Sequence, residues 1–76
     1  MALTREKHRM QRAKADFVHK FKIAAKEADE AEYWLLLADE VIKDSTIPKL
    51  LNELKVIQKI ITKIIATTKN QMAKKP

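Results

Sequence analysis

The chain contains no glycine, and of its two prolines only Pro48 lies in the interior of the sequence. Glycine and proline are the residues that most often break helices and form tight turns. Strong helix formers such as Ala, Leu, Lys and Glu occupy much of the rest of the chain. The sequence therefore predicts an all-α protein whose helices can be interrupted at very few points.

The clearest interruption lies at residues 44–48, Asp-Ser-Thr-Ile-Pro. Ser45 or Thr46 can cap a helix N-terminus, and Pro48 suits its first turn because the missing N–H would be unpaired there anyway. We therefore expect one helix over residues 4–44, with Thr4 as its N-cap, and a second over residues 47–70. Because the connection is short, the fold is predicted to be an antiparallel two-helix hairpin, followed by a loose tail at residues 71–76.

Apolar residues recur in both predicted helices in alternating steps of four and three, which is the heptad spacing of packed helices. In the first helix the seam is Phe17, Phe21, Ala24, Ala28, Ala31, Leu35, Ala38 and Ile42. In the second it is Leu50, Leu54, Ile57, Ile61, Ile64 and Thr68, widened by Leu51, Ile60 and Ile65. The alanines of the first seam predict close approach by the larger side chains of the second.

One hairpin does not cover all the apolar side chains. Trp34, Leu36, Leu37 and Val41 lie off the first seam, which is typical of a helix buried by more than one neighbour. A chain of 76 residues without cysteine has neither a large core nor disulfides. We therefore expect half of a four-helix bundle, completed by self-association. The residues predicted to pack in the core or between copies are Phe17, Phe21, Trp34, Leu35, Leu37, Leu54, Ile57, Ile61 and Ile64.

Charge is distributed in blocks, with a net charge of +6. Residues 1–26 and 45–76 are basic and residues 27–44 are acidic, a pattern that favours antiparallel or intersubunit pairing and gives basic ends suited to polyanions. A basic helix start at residues 1–14 is expected to fray or to pack on a partner. It can follow a phosphate backbone or be a solvated helix start, since no aromatic residues are interleaved for base stacking. The candidate nucleic-acid-binding residues are Arg5, Lys7, Arg9, Arg12 and Lys14.

Four carboxylates, Glu27, Asp29, Glu30 and Glu32, precede the only Tyr and the only Trp. They could form a metal or catalytic cluster, or a solvated, ion-pairing helix surface. Helical spacing fans them around the helix and no Glu-x-x-His pair accompanies them, which favours the surface. The two histidines are eleven residues apart, about 16 Å on one helix, too far to share a metal ion. We predict no enzyme, no catalytic, cofactor or metal site, and no small-molecule substrate.

The second helix combines an isoleucine face with a lysine back, as membrane-surface helices do. The matching seam of the first helix explains the same pattern. No apolar run reaches eighteen residues and no signal-peptide pattern is present, so we expect no membrane partner and a cytoplasmic location.

Several short stretches resemble the bacterial four helix bundle protein family, also called the 23S rRNA intervening-sequence protein family. Residues 14–17, 23–31 and 33–35 resemble its third helix, and the pairs Leu50-Leu51, Glu53-Leu54, Ile60-Ile61 and Ile64-Ile65, with residues 67–69, resemble its last helix. The resemblance spans about residues 5–70. The family's first two helices have no counterpart, so the chain resembles only the C-terminal half of the fold.

This resemblance implies a small, basic, non-enzymatic bundle protein. Members are often homopentameric, some are encoded within rRNA intervening sequences, and relatives serve as nucleic-acid-binding accessory proteins of diversity-generating retroelements. The expected function is therefore a homo-oligomer that binds RNA or DNA through Lys and Arg surfaces. The alternative is a structural or protein–protein interaction module with no nucleic-acid role.

Overall fold

A computed structural model describes residues 2–73 of the chain, with side chains over residues 5–73. These residues form two helices that pack against each other, α1 (Ala2–Ile42) and α2 (Thr46–Ala73). The rod they build measures 61 × 15 × 14 Å, so its length is that of α1. The predicted all-α helical hairpin is confirmed.

The connection between the helices is built on Lys43 and Asp44. Lys43 has a φ of 59°, the left-handed conformation that ends many helices, and its N–H donates to the Asp39 carbonyl at 3.3 Å. The Asp44 carboxylate Oδ1 accepts the Thr46 N–H at 2.8 Å, and the Asp44 carbonyl accepts the Ile47 N–H at 3.1 Å. The prediction that Ser45 or Thr46 caps α2 is therefore wrong, because the Asp44 side chain reaches the unpaired backbone N–H first.

The helix boundaries differ from the predicted ones by a few residues. Because α1 begins at Ala2, Thr4 lies inside the helix rather than capping it, and α1 ends at Ile42 instead of residue 44. The helix α2 continues to Ala73, so residues 71–73 of the predicted tail are helical. The half-buried Met72 anchors this last turn. The remaining tail, residues 74–76, lies outside the described residues.

The stripe of α1 that contacts α2 is rotated from the predicted seam. Phe21, Leu35 and the seam alanines are buried or half-buried, as predicted. Phe17 is 42% exposed and Ile42 is exposed, so their placement in the hairpin seam is wrong. Val18 is buried instead, and Ala25, Glu32 and Asp39, each seven residues further along, are half-buried.

The stripe of α2 is rotated in the matching direction. Leu54, Ile61, Ile64 and Thr68 lie at the contact as predicted, and the Thr68 hydroxyl donates to the Ile64 carbonyl at 2.8 Å, which satisfies it there. Leu50 and Ile57 are 43% and 49% exposed, so their placement in the hairpin seam is wrong. Leu51 and Ile65, predicted to widen the seam, are half-buried as predicted, whereas Ile60, predicted there too, is 51% exposed and its placement is wrong. The half-buried Gln58 and Met72 complete the heptad stripe of Leu51 and Ile65.

Candidate nucleic-acid and self-association surfaces

The N-terminal part of α1 extends beyond α2. Asp29 contacts Gln58, so these two residues lie at the same height along the antiparallel helices. Other residues of α1 and α2 lie opposite each other when their numbers add up to about 88. The end of α2 at Ala73 therefore lies beside residues near 15, and residues 2–14 project about 20 Å past it. We call residues 2–14 the basic overhang.

The five candidate nucleic-acid-binding residues all belong to this overhang, but they lie on two different sides of α1. Arg5, Arg9 and Arg12 follow a four-then-three spacing, which places them on one outward ridge of α1, and all three are exposed. Arg9 and Glu6 form an exposed ion pair at 3.8 Å, the kind of contact that contributes about 0–1 kcal/mol. Such a pair leaves the guanidinium available to other anions.

The two candidate lysines lie on the side of α1 that points towards α2. Lys7 is exposed because α2 has already ended at its height. Lys14 is half-buried at the junction, where it lines a shallow groove with Ala13, Phe17, Thr68 and Gln71. The three arginines and Lys7 are therefore the accessible charges of the overhang.

A second basic feature lies just below the overhang, where Lys22 of α1 and Lys69 of α2 face each other. Contact with the Lys22 amine, reinforced by repulsion between the two like charges, lowers the pKa of Lys69 below its ordinary value. Both side chains are exposed. The two lysines add positive charge to this side of the hairpin. The sequence analysis missed this pair because only the register of the two helices brings it together.

The acidic cluster does not converge in the folded hairpin. Glu27 and Glu30 are exposed, Glu32 is half-buried in a groove that includes Lys55 and Lys59, and Asp29 accepts the Gln58 amide at 3.1 Å. Among residues 5–73 no group of three or more His, Cys, Asp or Glu side chains is arranged to hold a metal ion. The arrangement is that of a solvated and hydrogen-bonded surface.

The hairpin has two long faces, and their edges can be assigned from cross-helix contacts. Lys22, Asp29 and Leu36 are spaced by seven on α1, and Lys55, Thr62 and Lys69 are spaced by seven on α2. The contacts of Lys22 with Lys69 and of Asp29 with Gln58 place these two stripes on one side of the hairpin. We call this side the polar face.

The opposite side carries several large exposed apolar side chains, together with the exposed charges of Lys20, Glu27 and Glu53. The groove shared by Phe17 and Gln71 places those two residues on the side away from Lys22 and Lys69. On α2, the residues that share the heptad stripe of Gln71 are Leu50, Ile57 and Ile64, and Ile60 lies next to this stripe. On α1, Trp34 and Val41 lie on the stripe next to that of Phe17, further from α2. All of these except Ile64 are exposed, Trp34 by 64%. We call the following set the apolar face: Phe17, Trp34, Val41, Leu50, Ile57 and Ile60.

The predicted packing residues divide between these environments. Phe21, Leu35, Leu54, Ile61 and Ile64 pack within the hairpin, and Phe17 and Phe21 stack with ring centroids 4.6 Å apart. Phe17, Trp34 and Ile57 lie on the apolar face. Leu37 is also exposed, on the back of α1, where it lines a shallow groove with Tyr33 and Leu36. Their packing between copies stays a prediction.

Comparison of the chain with models of known protein families, with curated proteins and with solved structures gave no match. The resemblance to the four helix bundle protein family therefore stays a prediction. Neither helix of the described chain, residues 2–73, combines the length and the apolar character needed to cross a lipid bilayer.

Proposed function

We propose that this chain is a non-enzymatic helical-hairpin protein that self-associates through its apolar face and binds nucleic acid through its Lys and Arg surfaces. The basic overhang is the observation that carries the nucleic-acid part. It presents Arg5, Arg9 and Arg12 along one ridge about 10 Å long, with no helix packed beside it in the described hairpin. Such a ridge can follow a phosphate backbone without reading bases.

The Lys22 and Lys69 pair supports the same proposal. It extends positive charge from the overhang onto the body of the hairpin, where both ammonium groups remain accessible. Binding that depends on such contacts is weakly sequence-specific, because phosphate contacts carry no direct base information. A cytoplasmic location and membership of the four helix bundle protein family, as its C-terminal half, belong to this proposal as well.

The alternative is a structural or protein–protein interaction module. It is favoured by one observation, the exposure of large apolar side chains such as Trp34 and Val41 on the apolar face, since such surface often marks a protein–protein interaction site. In that case the overhang would pair with acidic residues of another chain and would have no function on phosphates.

Salt dependence separates the two functions. We expect fluorescence anisotropy with labelled single-stranded and duplex RNA and DNA to give an affinity that falls linearly on a log–log plot against salt. Replacing Arg5, Arg9 and Arg12 together by Gln should reduce that slope by about 2–3, since each lost phosphate contact changes it by about 0.7–0.9. Glutamine preserves helix propensity, so the variant should stay folded.

The matched control replaces Lys49, Lys55 and Lys59 by Gln, which removes the same charge from the half of the hairpin that contains the turn. We expect this control to leave the slope almost unchanged. Equal loss from the two triple variants would indicate non-specific attraction to net charge, and absence of binding to all four probes at low salt would favour the interaction module.

A further inference from the structure

The two ends of the hairpin carry opposite net charge. The half nearest the turn, residues 27–61, contains eight acids and four lysines. The half at the other end, residues 5–26 with 62–73, contains ten Lys or Arg and two acids. The register of Asp29 with Gln58 shows that these residue ranges divide the rod at one height. The hairpin is therefore an electric dipole along its 61 Å length.

The apolar face runs along the same axis. Phe17 lies in the basic half, while Trp34, Val41, Leu50 and Ile57 lie in the acidic half. The part of the rod that contains both helices is about 42 Å long, the length of the 28-residue α2, and 15 Å wide, so its face projects to about 600 Å². This area lies at the lower end of the roughly 600–1,000 Å² per partner that stable interfaces bury. A second copy of the same face can therefore form an interface of that class.

We propose that two copies of the hairpin pack apolar face to apolar face in opposite directions, so that the acidic turn end of each lies against the basic end of the other. This arrangement rests on the self-association part of the proposed function and adds its geometry. The pair has twofold symmetry, because each copy contributes the same surface. It forms a four-helix bundle with a turn at each end.

Charge complementarity selects this direction over its alternative. The other twofold arrangement places both turns at one end, which brings the two acidic halves together and the two basic halves together. Like charges placed against each other in an interface are unfavourable, whereas opposite ones steer the partners into register.

The direction can be measured by pulsed electron spin resonance, since the chain has no cysteine and a single introduced one takes the label. Ser45 is exposed in the turn and lies off the apolar face, so Ser45→Cys marks the turn end. Ala66 is exposed near mid-length, so Ala66→Cys is the matched control. We expect more than about 40 Å between Ser45→Cys labels and less than about 30 Å between Ala66→Cys labels, from the helical rise and the packing distance.

Short distances from both sites would overturn the opposed arrangement while leaving self-association intact. A monomeric mass in light scattering, at the concentration of the spin measurement, would overturn both the opposed arrangement and self-association. Finding that a different protein covers the apolar face would also overturn both. A mass above that of a dimer would overturn the twofold pair. The outcome of the RNA and DNA titrations does not affect any of these results.

Salt gives an independent test of direction. In the opposed pair the dimer dissociation constant should rise several-fold between 50 and 500 mM NaCl, because screening weakens attraction between the ends. The parallel pair should instead tighten with salt. Tightening would therefore overturn the proposal.

Discussion

The two long faces of the hairpin are covered differently. Across the polar face the helices contact each other through side chains, as Asp29 does with Gln58 and Lys22 with Lys69. On the apolar face, large side chains such as Trp34 and Ile57 remain exposed. The contact between α1 and α2 thus covers fewer apolar side chains than the heptad pattern of the sequence contains. One hairpin therefore buries only part of the hydrophobic surface that its helices carry.

The small core explains why the exposed part matters. Among the described side chains only Val18, Ala28, Ile47 and Ile61 are buried apolar residues. Full burial of a large apolar side chain contributes about 1.5–3 kcal/mol, while ordering the backbone costs about 1–2 kcal/mol per residue. A single hairpin is therefore marginal, and burying the apolar face is the available route to greater stability.

The largest expected effect comes from the residue pair Ile60 and Ile61, which are neighbours of identical chemistry with 51% and 8% exposure. Ile61→Ala should lower the free energy of unfolding by about 2–5 kcal/mol, because it opens a cavity between the helices. This loss should appear in urea unfolding at every protein concentration.

Ile60→Ala is the matched control on the apolar face. Its effect should be small in dilute protein and should grow with concentration, since Ile60 becomes covered only on association. If both variants lost equal stability in dilute solution, the apolar face would already be buried within one chain.

The next effect is on association alone. Trp34→Ala should raise the dimer dissociation constant about thirtyfold or more, because a buried Trp at an interface typically contributes at least about 2 kcal/mol. Sedimentation equilibrium measures the constant directly. Leu36→Ala is the control, since Leu36 is 52% exposed but lies on the polar face. A similar loss from Leu36→Ala would place the interface on the wrong side.

The hairpin itself could be predicted because very few residues can interrupt its helices. Pro48 and the polar residues before it fix the connection, and absence of glycine leaves the two long segments helical. The boundaries were less accurate, because the cap depends on whether Asp44, Ser45 or Thr46 reaches a free N–H, and all three are chemically suitable.

The rotation of the helices could not be predicted, because a heptad pattern fits two adjacent stripes equally well. Leu54 and Ile61 belong to both stripes of α2. The sequence favours Leu50 and Ile57 over Leu51 and Gln58 as the neighbouring stripe, because the first pair is wholly apolar. The Asp29 carboxylate accepts the Gln58 amide, so this polar side chain is accommodated beside the contact. That partnership is visible only in three dimensions.

A smaller effect on stability is expected at the turn, which belongs to neither long face. Hydrogen bonds from the Thr46 backbone N–H and then its hydroxyl lower the pKa of Asp44 below its ordinary value of 3.8. The carboxylate therefore stabilises the fold fully above pH 3.8, and this contribution is lost as the pH falls through the lower folded pKa. Asp44→Ala should lower the thermal midpoint by a few degrees at neutral pH.

The pH dependence distinguishes capping from other causes. The difference between the wild type and Asp44→Ala should shrink when thermal scans are repeated below the folded pKa of Asp44, because both proteins then lack the carboxylate. The dimer dissociation constant at neutral pH should change little, since Asp44 does not lie on the apolar face. A difference that persisted at low pH would mean that the carboxylate is not the stabilising group.

The smallest effect is a gain, at Lys43. Its φ of 59° is unfavourable for a side chain with a Cβ, and glycine adopts it freely. Lys43→Gly should therefore raise the free energy of unfolding by about 0.5–1 kcal/mol, measured by urea unfolding in dilute protein. Lys43→Ala removes the same charge and keeps the Cβ, so it should give no such gain. Because the turn lies outside both long faces, Lys43→Gly should stabilise the hairpin without changing the affinity between copies. An equal gain from Lys43→Ala would instead attribute the effect to charge, and a change in affinity would show that the hairpin is not formed before it associates.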